Sequence, residues 1–169
     1  MRYECRPQRG NYNAHLVTLL LFLLSSTCFI ASGYVPKFPV ILQSAAVLLL
    51  IPAIQLIGKY LVPQYLYRVE PMEDGSVDFT VFSYRGGTKM QLVCRVALFE
   101  ITAVSPLTKE NRRAPSRMNR FNYCMDLSPA RAILLSVTNA DGDCQILLSF
   151  DETLEKILSG AVASPSSEQ

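Results

Sequence analysis

The sequence has few of the residues on which enzyme and metal chemistry most often depends. Its 169 residues include no Trp, one His and five Cys, and no two Cys form a CxxC pair. A zinc site or an activated Cys nucleophile needs several such groups close together. His15, the single His, stands at the start of a long apolar run. We therefore predict no catalytic residue, no metal site and no cofactor.

Charged residues are also scarce. They make up 18% of the chain, against about 25% in a typical soluble domain. The 16 basic and 14 acidic side chains leave a net charge of only +2. This balance excludes a nucleic-acid-binding protein that is recognisable by bulk charge.

Two stretches, residues 16–36 and 38–58, contain no charged residue at all. A helix rises about 1.5 Å per residue, so about 20 apolar residues match the hydrocarbon core of a bilayer. Only a short link with two prolines, Pro36–Pro39, joins the two runs. We predict an N-terminal segment over residues 1–14 and a transmembrane helical hairpin over residues 15–62. Pro52 lies inside the second run, where a membrane helix tolerates it.

The apolar runs are also compatible with a soluble protein or a secreted one. They could form a core hairpin of a soluble protein, although core helices rarely continue so long without charge. The first run could instead be a cleaved signal peptide, with Ala31-Ser32-Gly33 as its cleavage site. The run is longer than a usual signal-peptide core, and a second span follows it.

Basic residues near the runs indicate the orientation of the hairpin. Three Arg (Arg2, Arg6 and Arg9) precede the first run, and the link contains only Lys37. Lys59 and Arg68 follow the second run, so the rule that basic loops stay inside applies to both ends. We predict a multi-pass protein of the cell (inner or plasma) membrane with both termini in the cytoplasm.

From residue 65 the hydrophobic pattern changes to a period of two, which is typical of strands. We predict seven short strands, over residues 65–70, 76–82, 89–96, 98–104, 121–127, 131–138 and 144–149. An amphipathic helix follows, which Ser149 or Asp151 can cap and which places Leu154, Ile157 and Leu158 on one face. The prediction is a membrane-anchored α+β chain: a small seven-stranded antiparallel β barrel or bent sheet over residues 65–162, capped by a C-terminal helix. We predict that residues 163–169 form a disordered tail.

This order of elements resembles small bacterial membrane proteins that carry a pleckstrin-homology-like domain. The resemblance covers residues 65–162 and is carried by Tyr65–Glu70, Phe99–Val104 and Ser149–Leu158. It implies a non-enzymatic scaffold or binding module at the cytoplasmic face of the membrane. The chain lacks the helix tryptophan of the eukaryotic relatives. It also has Glu73-Asp74 in the turn where those relatives place Lys and Arg for inositol phosphates, so we expect no phosphoinositide binding there.

One long connection is strongly basic. Between Val104 and Phe121 there is one acid, Glu110, and five cations: Lys109, Arg112, Arg113, Arg117 and Arg120. Long loops are often functional or disordered. The loop is either a solvated flexible segment or a contact for anionic lipid headgroups or an acidic partner.

Three functions follow as hypotheses. The first is a non-catalytic binding or scaffolding module that is tethered to the lipid bilayer and binds no nucleic acid. The second is an accessory subunit of a larger complex, in which the hairpin packs against other membrane proteins. The third, an enzyme, lacks a supporting motif, and we predict that the protein is not one.

Overall fold

We describe the protein from a computed structural model, which describes residues 2–8, 10, 13–35, 37–73, 75–86, 89–112, 118–140 and 142–163. The chain divides into two compact units. A β domain comprises Met1–Gly10, Gln64–Met125 and Pro129–Gln169, and a helical unit comprises Asn11–Pro63 and Asp126–Ser128.

The helical unit contains two helices, α1 (Asn13–Ser32) and α2 (Pro39–Leu56), and α2 continues as a π-helical turn over Ile57–Leu61. Pro39 occupies the first turn of α2, where its missing N–H costs nothing. Both helices are long and apolar enough to cross a membrane.

Small residues form the contact between α1 and α2. The hydroxyl of Ser25 donates a 2.9 Å hydrogen bond to the carbonyl oxygen of Ala46 across the hairpin. The buried side chains of both helices are small and recur every four or seven residues: Ala14, Thr18, Ser25 and Ser32 in α1, and Ala46 and Ala53 in α2. Large apolar side chains lie on the outside, for example Leu19 (58% exposed) and Leu48 (65% exposed).

The β domain contains two four-stranded sheets. Sheet A has four antiparallel strands in chain order: β1 (Tyr3–Cys5), β2 (Gln64–Pro71), β3 (Val77–Tyr84) and β4 (Met90–Ala97). Its first strand therefore comes from the segment before α1. Gly75, with a φ of 84°, lies in the β2–β3 turn, where L side chains are strained.

Sheet B has the strand order β5-β7-β8-β6. Its strands are β5 (Ile101–Pro106), β6 (Asn119–Asn122), β7 (Ala132–Asn139) and β8 (Gly142–Ser149). The β5–β7 and β7–β8 pairs are antiparallel, whereas β6 runs parallel to β8. Helix α3 (Glu152–Ala163) follows β8.

One core joins the two sheets and α3. Alternate residues of the strands point into it, as the period of two predicts. Its largest buried side chains include Tyr67, Phe79, Ile133, Leu135, Ile146, Leu148, Leu154 and Leu158. Leu154 and Leu158 of α3 are fully buried and Ile157 packs at the edge, so the helix docks through its apolar face.

The predicted sheet topology is wrong in two respects. The strands form two sheets rather than one seven-stranded barrel or bent sheet, because the chain enters a 3-10 turn at Leu98–Glu100 between β4 and β5. The sheets are also not wholly antiparallel, since β6 pairs parallel to β8. Each of the seven predicted strands overlaps a strand of the described residues, but the fourth begins only at Ile101 and the fifth shares only residues 121–122 with β6; β1 adds an eighth. Apart from Ala163, the predicted tail lies outside the described residues.

Candidate functional site

Four of the five candidate cations fall in the sequence between β5 and β6, whereas Arg120, predicted in the same loop, lies on β6 itself. The structure describes Lys109, Arg112 and Arg120, whereas Arg113 and Arg117 lie outside the described residues. Lys109 and Arg112 are exposed to solvent, and Arg120 is half-buried. Among the described cations of this set, Lys109 and Arg112 are thus the two that are exposed.

Asn111 fixes the backbone of the first half of this loop. Its side-chain oxygen accepts a 2.6 Å hydrogen bond from the backbone N–H of Thr108, whose hydroxyl accepts one from the N–H of Asn111 at 3.3 Å. The amide nitrogen of Asn111 also donates to the carbonyl of Pro106 at 2.9 Å. Such side-chain to backbone bonds are the usual way in which Asn and Thr stabilise turns.

Arg120, on β6, holds the first half of the loop against sheet B. Its Nε atom donates to Oε1 of Gln145 on β8 at 3.0 Å, and Nη2 donates to the carbonyl of Asn111 at 2.8 Å. Its Nη1 atom donates to the carbonyl of Arg112. Burial lowers the pKa of Arg120, but an arginine remains a cation at neutral pH. The guanidinium already serves as an internal clamp, so contact with an external anion would require it to give up these bonds.

A second polar cluster holds β1 on the domain through Asp151. The hydroxyl of Tyr3 donates to Oδ1 of Asp151 at 2.6 Å, and the thiol of Cys5 donates to Oδ2 at 3.4 Å. The same carboxylate accepts the backbone N–H of Leu154 at 2.8 Å and thereby caps α3, which confirms the predicted cap.

The pKa values of this cluster follow from burial and these hydrogen bonds. Burial raises the pKa of Asp151, but the donors on Tyr3 and Leu154 outweigh it and hold the pKa below its usual value. Burial, followed by the bond to Asp151, raises the pKa of the Cys5 thiol to about 11. Burial and the same carboxylate also raise the pKa of Tyr3. At neutral pH the cluster is thus one carboxylate with two neutral donors.

Ion pairs hold β1 from the outer face of sheet A. Arg68 on β2 lies 3.1 Å from the carboxylate of Glu4 and 3.9 Å from that of Glu70. Its guanidinium also stacks over the ring of Phe82, 5.2 Å from the centroid. Arg2 contacts Glu70 at 3.8 Å. The N-terminal strand is therefore fixed on both faces of the sheet.

Two tyrosines connect the sheets. The buried Tyr67 hydroxyl donates to the carbonyl of Tyr123 at 2.9 Å and accepts the N–H of Ser149 at 3.1 Å. The Tyr123 hydroxyl donates to the carbonyl of Val93 at 3.2 Å, and its ring packs edge-on against Tyr65 at 5.7 Å. Burial chiefly raises the pKa of both hydroxyls, so they remain neutral and bridge the sheets.

Comparison with known proteins assigns no family: no family model, curated protein or solved structure matches the chain. The function must therefore be inferred from the geometry described above. Within the described residues, no group of three or more His, Cys, Asp or Glu side chains could hold a metal ion.

The sequence pattern did not indicate β1, the Asp151 cluster beyond its cap, or the two bridging tyrosines. The alternation of Tyr65 and Tyr67 in a strand was a usable signal, because both then face the core. A three-residue strand such as Tyr3–Cys5 is too short to show a period. Its role depends on Asp151 at the other end of the sequence.

Proposed function

We propose that this chain is a non-catalytic binding or scaffolding module whose β domain is tethered to the cytoplasmic face of the cell membrane by a transmembrane hairpin. The observation that carries the proposal is the distribution of side-chain size in the hairpin. Small residues meet between the helices and large apolar ones face outward. Helix pairs in lipid pack this way, because burying large apolar side chains gains nothing there.

The outward side chains argue against the alternative of a soluble core hairpin. In the 18-residue stretch of highest hydropathy, only 17% of the residues are buried in α1, and only 11% are buried in α2 with its π-helical turn. A soluble protein would leave this apolar surface in water, where patches of more than a few hundred Å² are rare.

Strand β1 supports a hairpin that returns to the side from which it started. β1 precedes α1, β2 follows α2, and the two strands pair directly, with Tyr3 opposite Val69. A pair of spans flanked by two paired strands must begin and end on one side of a membrane. The same pairing favours retention of α1 over signal-peptide cleavage, because cleavage after Gly33 would remove β1 from the sheet.

Charge supports the cytoplasmic orientation. Three Arg precede α1, and the link carries only Lys37. At the end of α2, Lys59 lies over the ring of Tyr60 at 5.5 Å. Lys and Tyr are residues that anchor helix ends at a membrane interface.

The pleckstrin-homology-like part of the proposal rests on two packed sheets followed by a docked C-terminal helix. The parallel β6–β8 pair and the added β1 depart from an all-antiparallel domain of that kind. We therefore propose a related architecture used for binding rather than catalysis.

Labelling in intact cells tests the tether. Lys37→Cys places a thiol in the link and should react with a membrane-impermeant maleimide. Glu73→Cys places one in the exposed β2–β3 turn and should react only after permeabilisation. Labelling of Glu73→Cys in intact cells would overturn the orientation. If both thiols react in intact cells, the link and the β domain lie on the same side of the membrane, and the tether itself is wrong.

The second candidate function, an accessory subunit of a membrane complex, is favoured by polar side chains on α2. Gln43, Ser44 and Gln55 are exposed, and none of their side chains has a hydrogen-bond partner in the described part of the chain. Polar side chains at this depth commonly bond to a neighbouring helix. A stoichiometric partner that co-purifies in mild detergent, is lost with Gln55→Leu and is retained with Ile54→Leu would establish this function.

A further inference from the structure

The outer face of sheet A divides into two halves along its strands. In the half that borders β1, charged side chains pair with one another. Arg68 contacts Glu4 and Glu70, and Arg95 pairs with the buried carboxylate of Asp78.

The other half is apolar. Strand register sets Gln64, Tyr84 and Met90 side by side, and Phe82 beside Leu92 in the same way. Met90 and Leu92 lie on the same face of the edge strand β4, and about half of each side chain is exposed (49% and 48%). This end of the sheet thus presents large apolar groups to its surroundings.

Two cations border this apolar half. Arg85 and Lys89 flank the β3–β4 connection and are exposed. Within the described residues neither has a carboxylate partner. Residues 79–99 contain no Asp or Glu at all. We call this surface of the β3–β4 hairpin the hairpin face. It consists of Phe82, Tyr84, Met90 and Leu92, with Arg85 and Lys89.

The hairpin face lies at the end of sheet A where the chain enters β2. Helical structure ends at Leu61, and β2 begins at Gln64. Three residues span at most about 11 Å, and neighbouring strands lie about 4.8 Å apart. Tyr84 and Met90 are the register partners of Gln64, so they lie at the same end of the sheet as the first residue of β2.

We propose that the hairpin face docks on an anionic lipid surface, with Met90 and Leu92 at the boundary of the acyl chains and Arg85 and Lys89 at the headgroups. This inference rests on the proposed tether, and it assigns the lipid contact to the β3–β4 hairpin rather than to the basic loop. Apolar side chains bordered by unpaired cations are the combination that binds anionic interfaces.

The exposed edge of β4 could also pair with a strand of another protein, but it fits such a strand less well than the hairpin face fits lipid. The ladder between β3 and β4 shifts register at Val81/Phe82, and an irregular edge is a poor template for pairing. The carbonyl of Val93 already accepts a hydrogen bond from Tyr123, which removes one acceptor from the edge.

Because the chain has no Trp, single Trp substitutions can report on each site in turn. The full chain is reconstituted in vesicles of equal parts phosphatidylcholine and phosphatidylglycerol containing doxyl-labelled lipid. Leu92→Trp should be quenched. Phe99→Trp, 76% exposed and just beyond the opposite end of β4, should not. Equal quenching at both positions would overturn the proposal.

Charge removal provides the second arm. In the Leu92→Trp chain, Arg85→Gln with Lys89→Gln should lower the docking equilibrium about 30-fold, which corresponds to about 1 kcal/mol for each cation at an anionic surface. The matched control, Lys109→Gln with Arg112→Gln, removes the same charge from the basic loop and should leave quenching unchanged. If the loop variant loses quenching and the hairpin-face variant keeps it, the basic loop makes the lipid contact and the proposal is overturned.

A third Trp separates failure of this inference from failure of the tether. Leu48→Trp lies on the outward side of α2 and should be quenched whether or not the hairpin face docks. Quenching of Leu48→Trp without Leu92→Trp overturns the docking and leaves the tether in place. Loss of both overturns the tether. The Trp emission of Leu92→Trp could instead shift to shorter wavelength as the density of protein in the vesicles rises, with no quenching by the doxyl lipid. This result would show that a second copy of the chain covers the hairpin face, and it would overturn the proposal.

Discussion

The Tyr3 hydroxyl donates a 2.6 Å hydrogen bond to Oδ1 of Asp151, a residue 148 positions further along the chain. The bond joins β1, the strand that precedes the two membrane helices, to the first turn of α3. Asp151 thereby serves two elements at once, because it also caps α3 through the N–H of Leu154. Tyr3 and Asp151 thus hold β1 and α3 in one folded domain.

Tyr3→Phe should lower the stability of the β domain by about 1–2 kcal/mol, because a hydrogen bond to a carboxylate is lost at a partly buried site. Thermal unfolding of the full chain in mild detergent, followed by circular dichroism, measures the change. Tyr34→Phe is the matched control, because Tyr34 is 82% exposed and lies outside the β domain. Identical melting of the two variants would contradict a structural role for the bond.

The Asp151 carboxylate should make stability depend on pH in the acid range. Its pKa in the folded state lies below the ordinary value of 3.8, so its contribution is fully present above that value and is lost as pH falls through the folded pKa. We expect the difference in unfolding free energy between the wild type and Asp151→Asn to stay constant above about pH 5 and to shrink below about pH 4. Denaturant titrations over that range test this, and a constant difference down to pH 2.5 (about one unit below the ordinary pKa) would contradict it.

The sequence predicted the position of every long strand of the β domain but not how the strands associate. The period-two runs at Val77–Tyr84 and Ala132–Asn139 show local alternation, which is visible in the chain. The parallel β6–β8 pair instead depends on where the chain returns after β7. No local pattern encodes that choice.

The candidate site was predictable only in composition. The cations are evident from the sequence. The hydrogen bonds that hold Arg120 depend on Gln145, which is 25 residues away on another strand. The hairpin face also needs the register, because only the pairing of Gln64 with Tyr84 brings the β3–β4 hairpin next to the start of β2.

Cys5 should react slowly with alkylating reagents. With a pKa of about 11, its thiolate fraction at pH 8 is about 100-fold below that of a thiol of ordinary pKa, and the thiolate is the nucleophile. Peptide-resolved mass spectrometry after iodoacetamide treatment measures the rate, and Lys37→Cys in the exposed link provides the reference thiol. Asp151→Asn removes a charge that opposes ionisation and should speed labelling of Cys5. An unchanged rate would show that burial alone controls the thiol.

Arg120→Lys should destabilise the domain although it keeps the charge. A lysine has one donor group on a flexible stem and cannot reach Gln145 and the carbonyls of Asn111 and Arg112 together, as the planar guanidinium does. We expect a loss of about 1–3 kcal/mol, because the buried oxygen of Gln145 is then left without its partner. Freed from this clamp, the loop should also be cut faster by trypsin after Arg112.

The matched control for this substitution is Arg112→Lys, which makes the same chemical change at an exposed side chain of the same loop. Its melting temperature should stay within error of the wild type, since surface substitutions of this kind usually cost less than about 0.5 kcal/mol. Trypsin still cleaves after lysine, so the two variants can be compared directly for cleavage at position 112. If Arg120→Lys melts and is cleaved like Arg112→Lys, the guanidinium does not hold the loop. Arg120 would then count again among the cations that are free to meet an anionic partner.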